Sequence, residues 1–234
     1  MKLREIKSLV ISASLLVLCA ACSSGAKDGV ELTTPWLGPL NGFERVSGKD
    51  EFGIFLKSTS GATVRFETAI ITPPELIISA RSDLEAISPD AYEQINALFS
   101  DVLRQELAKQ IPTTNTGAVP GTPPGLASHR INAAMTNITI TRKTDNPAAG
   151  QLKDLQFSFE GSTIEAEIRD RKSNSRRAVI ILSAKPGKTD WAALRAQFTE
   201  FAHQAAAEIG QARSAINTRA DQPSAPALET PAKK

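Results

Sequence analysis

The stretch IEAEIRDRKSNSRRAVIIL, residues 164–182, decides the fold. In its first half, apolar residues at every second position alternate with charged ones, which is the period of a β-strand with one buried face and one solvated face. The polar residues 170–175 supply a turn, and Ala178–Leu182 returns as an apolar run. Two such runs around a turn predict a β-hairpin.

The returning strand of this hairpin is apolar on both faces. If Ala178, Ile180 and Leu182 face the helices, then Val179 and Ile181 lie on the far side of the sheet. That side must be covered by the N-terminal segment, be covered by a partner, or remain as a small exposed patch. Val179 and Ile181 are therefore candidate partner contacts.

Basic residues cluster around the hairpin turn. Pairing the strands about Ser173 places Arg169 opposite Arg177, where like charges repel unless Glu167 or an outside anion lies between them. The cluster is either a contact for an acidic partner, peptidoglycan or lipid head groups, or a solvated turn that keeps a sheet edge soluble, and we favour the second interpretation. The candidate partner contacts here are Arg169, Arg171, Lys172, Arg176 and Arg177.

Two helices flank the strands. Ser88 as N-cap and Pro89 at the first helical position begin the first, whose apolar stripe continues to about residue 109. Thr189 as N-cap, with Asp190 in the first turn, begins the second, whose stripe includes Trp191 and reaches Ile209. Further strands are expected at 52–56 as a short edge, at 64–71, and at 131–141. The last of these has two apolar registers, which indicate either a bulge near Asn137 or a sheet that is apolar on both faces. The fold class is thus α+β, a two-layer sandwich with a mainly antiparallel sheet and two long helices packed on one face.

The N-terminus has the pattern of a lipoprotein export signal. A basic start is followed by an uncharged apolar run, Leu9–Ala21, too short as a helix, at about 20 Å, for a bilayer of roughly 30 Å. The segment LCAAC, residues 18–22, resembles the lipobox of bacterial lipoproteins, which implies lipidation of Cys22; Cys19 is a poor alternative because bulky Leu18 precedes it. Ser23 resembles the sorting pattern for the outer membrane.

The chain is accordingly divided into a signal peptide (1–21), a flexible tether (22–40), one α/β domain (41–212) and a disordered tail (213–234). The Pro- and Gly-rich stretch 112–128 is predicted to be a long loop, and we favour a variable insertion over a binding element. Removal of residues 1–21 takes away three basic residues and one acidic residue, which leaves 24 of each and a mature formal charge of zero. This balance gives no reason to expect a nucleic-acid partner.

Catalytic and metal-binding motifs are scarce. The chain has two Cys and two His, and lipidation would use the only mature Cys. His129 is expected to be solvated at the start of a strand, and His203 to lie on the wet face of its helix. We predict no cofactor and no metal site. The competing interpretation is an envelope hydrolase that uses Glu165 and Glu167, which are more often surface charge on such a strand.

The sequence resembles the bacterial lipoproteins classed as domain of unknown function 3313. The resemblance lies in RFETAIITP at 65–73, the helix that follows, the hairpin from Ile164 to Ile181, and Trp191 with 198–202 of the last helix, over roughly residues 40–210. It implies an outer-membrane lipoprotein without assigned activity and gives no catalytic residues. Together these features predict a non-enzymatic, periplasm-facing lipoprotein, held in the outer membrane by its N-terminal lipid, that binds an envelope protein or peptidoglycan.

Overall fold

The computed structural model describes residues 33–57, 64–112, 128–143 and 151–221. Its two α-helices are α1 (Pro89–Gln110) and α2 (Trp191–Ala220), and single 3-10 turns lie at Leu84–Ala86 and Leu152–Asp154. The strands are β1 (Thr33–Thr34), β2 (Gly38–Pro39), β3 (Phe43–Ser47), β4 (Gly53–Lys57), β5 (Ala69–Ile71), β6 (Glu75–Ile78), β7 (His129–Arg142), β8 (Leu155–Ser158), β9 (Thr163–Asp170), β10 (Arg176–Ser183) and β11 (Lys188–Asp190).

Nine of these strands form one sheet, in the hydrogen-bonded order β11, β8, β7, β9, β10, β4, β3, with β5 and β6 also paired to β7. The β5 and β6 pairs with β7 are parallel, and the other pairs in this sheet are antiparallel. The main core contains buried side chains of both helices and one face of the sheet. The predicted two-layer α+β sandwich is therefore confirmed. No helix among the described residues is long and apolar enough to span a membrane.

The hairpin forms as predicted, but its register differs by one residue near the turn. Ile180 pairs with Ala166 and Ala178 with Ile168, whereas the strand bulges between Arg176 and Ala178. Arg176, and not Arg177, consequently lies opposite Arg169. A bulge inserts one unpaired residue into one strand, and simple counting about the turn could not anticipate it.

Both helices begin close to the predicted positions. The Ser88 hydroxyl accepts the Ala91 amide at 3.1 Å, and Pro89 follows as the first helical residue. The N-cap of α2 is Asp190 instead of Thr189, because the Asp190 carboxylate accepts the Ala193 amide at 3.1 Å and Thr189 pairs with Phe157 in the sheet. The strand before α2 ends where the cap begins, so the predicted N-cap is wrong by one position.

The predicted tail is wrong for residues 213–220, which continue α2. Ile216 is buried in the main core. The Asn217 side chain accepts the Phe66 amide at 2.6 Å, and Arg213 Nε donates to the Phe66 carbonyl at 3.1 Å. These bonds also explain why only Ala69–Ile71 of the predicted strand 64–71 pairs in the sheet: the backbone of Phe66 bonds to α2 instead.

The other predicted strands differ in extent and place. β4 lies between β3 and β10, so it is an interior strand and not an edge. In β7, Asn137 has a φ of +61°, and the partner changes from β9 at Thr136 to β8 at Thr139. The predicted bulge near Asn137 is thus confirmed.

The predicted tether is wrong from residue 33 onward. Residues 33–40, here called the strap, include β1 and β2 and pack across the sheet face opposite the helices, where Leu37 and Leu40 are buried. Large apolar side chains in this segment bury surface that a tether would leave in water. Three predicted segments lie outside the described residues: the signal peptide, residues 113–127 of the loop, and residues 222–234 of the tail.

Candidate functional site

The far face of the sheet carries a second, smaller apolar core under the strap. Val179 and Ile181 are 0% and 3% exposed, in a cluster completed by Leu37, Leu40, Phe43 and Phe55. Of the three options for covering this face, the N-terminal segment is the one that the structure shows. Val179 is fully covered and Ile181 reaches only the wall of a cavity, so the prediction that the two form an exposed contact surface is wrong.

A buried carboxylate resolves the charge conflict on the hairpin. Glu167, 6% exposed, accepts hydrogen bonds from Arg169 Nε, Arg176 Nε and the side-chain Nδ2 of Asn132, each at 2.7 Å. Arg176 also donates to the carbonyl of Leu37 in the strap at 3.0 Å. Burial alone would raise the pKa of Glu167, but the hydrogen bonds from Arg169 and Asn132 and the two positive charges outweigh it and hold this pKa below its usual value. Arg169 and Arg176 are thus structural partners of Glu167.

The third arginine at the hairpin is bound in the same way. Arg177 Nη2 lies 3.5 Å from a carboxylate oxygen of Asp170, which is 2% exposed and also accepts the Ser173 amide at 2.7 Å. Burial acts to raise the pKa of Asp170, yet the Ser173 hydrogen bonds and the Arg177 charge lower it on balance. Of the five predicted basic contacts, only Arg171 and Lys172 have exposed side chains, at the turn itself.

Glu165 is the second buried carboxylate of this face, and its surroundings are neutral. It is 1% exposed, and its Oε2 accepts the Thr34 hydroxyl at 2.6 Å and the Leu37 amide at 3.2 Å. The expectation that the face of Glu165 and Glu167 is solvated is wrong, because the strap covers it. A signal for this cover is present in Trp36, Leu37 and Leu40, which are large apolar residues in a segment otherwise typical of a tether.

A cavity of about 170 Å³ opens between the strap, the turn after β3 and the sheet. Its walls combine hydroxyl, carboxylate and apolar groups. The lining residues are Thr33, Thr34, Pro35, Glu51, Phe52, Thr163, Glu165 and Ile181. A second cavity of about 190 Å³ lies over β7, β8 and β11 and has a more polar wall that includes Thr139, Gln156 and Lys188. Both cavities are smaller than the roughly 300–1,000 Å³ typical of small-molecule sites.

The two histidines have opposite environments. His129 is fully buried and stacks on Phe66 at 4.7 Å, with Nδ1 2.9 Å from the Ser128 hydroxyl and with Nε2 lacking a hydrogen-bond partner among the described residues. Burial lowers the pKa of His129 to about 4. The negative charge of Asp170 acts to raise this pKa, and the positive charge of Arg177 acts to lower it. The expectation of a solvated His129 is wrong, because the side chain is fully buried and Phe66 stacks on its ring. His203 is exposed, as predicted, and its Nδ1 lies 3.5 Å from Glu106.

The structure bears on the metal prediction but not on the lipidation prediction. No group of three or more potential metal ligands occurs among the described parts of the chain. Cys22, the predicted lipidation site, lies outside those parts, so its lipidation stays a prediction.

Comparison with known proteins identifies no family. No protein-family model and no curated protein matches the sequence. Solved structures that are similar include a Helicobacter pylori protein classed as a homolog of neuraminyllactose-binding hemagglutinin (9% identity, TM-score 0.40, 68% of this chain and 92% of that one). A second is the PelC dodecamer of Paraburkholderia phytofirmans (10% identity, TM-score 0.30, 63% of this chain and 91% of that one). A third is a Xanthomonas campestris protein of domain of unknown function 330 (11% identity, TM-score 0.35, 69% of this chain and 91% of that one). Similarity this low carries no argument about function, and the resemblance to domain of unknown function 3313 stays a prediction.

Proposed function

We propose that the protein is a lipid-anchored module of the bacterial cell envelope that faces the periplasm from the outer membrane and acts by binding. The observation that carries this proposal is the lipobox-like segment 18–22 after a basic start and an apolar run. The strap also limits the reach of the anchor. Thr33 follows Cys22 by eleven positions, so the strap lies at most about 40 Å from the lipidated residue.

The buried carboxylates favour binding over the hydrolase alternative. A general acid needs a pKa near the working pH, whereas Glu167 is held ionised between two arginines and its pKa is lowered. Glu165 lines a cavity that also includes Glu51, but Glu51 is exposed and the groups that bond to Glu165 are neutral. The pair named in the hydrolase alternative, Glu165 with Glu167, does not share this cavity, because Glu167 is bound to Arg169 and Arg176.

The contact surface that we propose for a partner is the turn 171–174. Arg171 and Lys172 are exposed there, and the three other basic residues of the hairpin are half-buried beside Glu167 and Asp170. This turn would meet an acidic group of an envelope protein or of peptidoglycan. A photo-crosslinking amino acid at Lys172 should capture that partner in cells, and the same probe at Glu93 on helix α1 is the matched control. Equal capture at both positions would contradict the assignment of the turn.

The anchor has a separate test. Cys22→Ser should abolish incorporation of labelled palmitate and release the protein from the membrane fraction, because the thiol that carries the lipid is gone. Cys19→Ser is the control, since it removes the other cysteine of the segment and should retain labelling. Density-gradient separation of the two membranes then checks the outer-membrane location. Labelling that persists in Cys22→Ser would overturn the proposal.

A further inference from the structure

Among the described residues, Glu165 differs from the neighbouring buried carboxylates because it has no cationic partner. Glu167 pairs with Arg169 and Arg176, and Asp170 pairs with Arg177. For Glu165, by contrast, no Lys, Arg or His nitrogen lies within ion-pair distance in the described part of the chain, and the groups that bond to it are neutral. Burying a carboxylate without a counter-charge is costly.

One oxygen of Glu165 is also poorly satisfied. Its Oε1 lies 3.3 Å from the Thr163 hydroxyl and 3.4 Å from the Thr136 hydroxyl. These two hydroxyls are themselves 2.7 Å apart, so one of their two protons is needed between them. Oε1 is therefore left with a single long hydrogen bond, although a carboxylate oxygen can accept two.

The cavity beside this carboxylate has room for the missing partner. Thr163 and Glu165 line the cavity together, and Phe52 and Ile181 contribute apolar wall. The exposed carboxylate of Glu51 adds a second negative charge to the lining. A volume of about 170 Å³ equals roughly five to six water molecules at about 30 Å³ each, which is enough for an ammonium group and several methylenes.

We propose that this cavity binds a primary ammonium group at the end of an aliphatic chain. The ammonium donates to Oε1 of Glu165, where a charge-assisted bond is shorter and stronger than the long hydroxyl contact that it replaces. The methylenes pack against Phe52 and Ile181. The inference goes beyond the proposed function and holds with or without the lipid anchor. The amine is either a free alkylamine or the lysine side chain of a peptide.

Calorimetric titration of the purified full chain in detergent tests the proposal with defined probes. Pentylamine and the capped peptide acetyl-Gly-Lys-Gly-amide carry the ammonium, and pentanol has the same chain length with a neutral end. At least one amine should bind about tenfold or more tightly than pentanol, because the alcohol can donate a hydrogen bond but lacks the positive charge that strengthens the bond to a carboxylate. A stronger signal for the peptide or for pentylamine identifies the source. No binding of either amine, or equal binding of pentanol, would overturn the proposal.

Variants locate the site. Glu165→Gln retains the shape and an acceptor oxygen but removes the charge, and it should weaken amine binding about tenfold or more. Glu93→Gln, on the exposed surface of α1, makes the same chemical change away from the cavity and should leave the affinity within about twofold. If Glu165→Gln does not fold, Glu51→Gln replaces it, with an expected loss of about two- to fivefold. Unchanged affinity in the folded cavity variant would overturn the assignment.

Discussion

The hydroxyl of Thr34 donates a 2.6 Å hydrogen bond to Oε2 of Glu165, 131 positions later in the chain. This bond joins the strap to the central strand β9, and the Leu37 amide reinforces it at 3.2 Å. The strap is consequently part of the folded structure, and both carboxylates of the far sheet face, Glu165 and Glu167, are buried beneath it.

Thr34→Val should lower the free energy of unfolding by about 1–3 kcal/mol, because a nearly isosteric side chain leaves a buried carboxylate short of its closest donor. Urea denaturation measures the change. Thr33→Val is the matched control, since Thr33 is exposed, and it should stay within about 0.5 kcal/mol of the native protein. An equal effect of the two substitutions would show that the Thr34 hydroxyl does not contribute.

Arg176→Gln should destabilise the protein by about 3 kcal/mol, because Glu167 keeps its burial and loses one of its two cationic partners. The double variant Arg176→Gln with Glu167→Gln should be more stable than Arg176→Gln alone, since it no longer buries an under-compensated charge. Denaturation of the wild type, of Arg176→Gln, of Glu167→Gln and of the double variant at neutral pH gives the coupling energy between the two side chains. A coupling of zero would contradict the ion-pair account.

Stability should fall as the pH decreases from about 6.5 to about 4, because the pKa of His129 is lowered to about 4 in the folded protein. Between these values the unfolded state binds the proton and the folded state does not, so protonation favours unfolding, with a limit of about 3 kcal/mol. His129→Phe, which retains the ring stack on Phe66, should flatten this part of the pH profile. His203→Gln, at an exposed position, is the control, and an unchanged slope in His129→Phe would refute the assignment.

Ile216→Ala should cost about 2–4 kcal/mol, because the side chain is 2% exposed in the main core and its removal leaves a cavity. Thr218→Ala, on the exposed side of the same helical turn, should change the stability by about 0.5 kcal/mol or less. Thermal unfolding followed by circular dichroism distinguishes them. If Ile216→Ala were as harmless as its control, the end of α2 would not be part of the core.

Gly53→Ala should destabilise by more than about 2 kcal/mol. Gly53 has a φ of +131°, and a Cβ at this position would lie 2.0 Å from the carbonyl oxygen of Ser47. The contact is with backbone in the β3–β4 bulge, so no side chain can move away to relieve it. Gly187→Ala has open space and serves as the control, and similar unfolding midpoints for both variants in urea would contradict this steric account.

The sequence was sufficient to predict the elements that are determined by residues close together in the chain. The α1 cap depends on Ser88 and Pro89, which are adjacent, and the hairpin depends on alternation within about twenty residues. The bulge at Asn137 was also visible, as a change in the apolar register along one strand. Each of these patterns is read within one or two neighbouring elements, so composition and spacing were sufficient.

Elements that depend on distant partners could not be predicted in this way. The last two turns of α2 are polar and small in sequence, and they are ordered by Ile216 in the core and by the bonds of Arg213 and Asn217 to Phe66. The one-residue shift at Arg176 follows from a bulge that no turn count reveals. His129 became buried because a residue 63 positions earlier stacks on it.

By itself, the sequence determined the sandwich of two helices on a mainly antiparallel sheet, because amphipathic periods of helix and strand each require one apolar face to be covered. Only the tertiary structure decided what covers the second face. From the local pattern, Glu165 and Glu167 are surface charges; in the structure they are buried beneath the strap, whose Thr34 lies 131 positions before Glu165. Likewise, Val179 and Ile181 are a partner surface in the local pattern, whereas in the structure Leu37 and Leu40 pack on them. Burial is a property of what packs on a residue from elsewhere in the chain, and that partner leaves no signal in the local pattern.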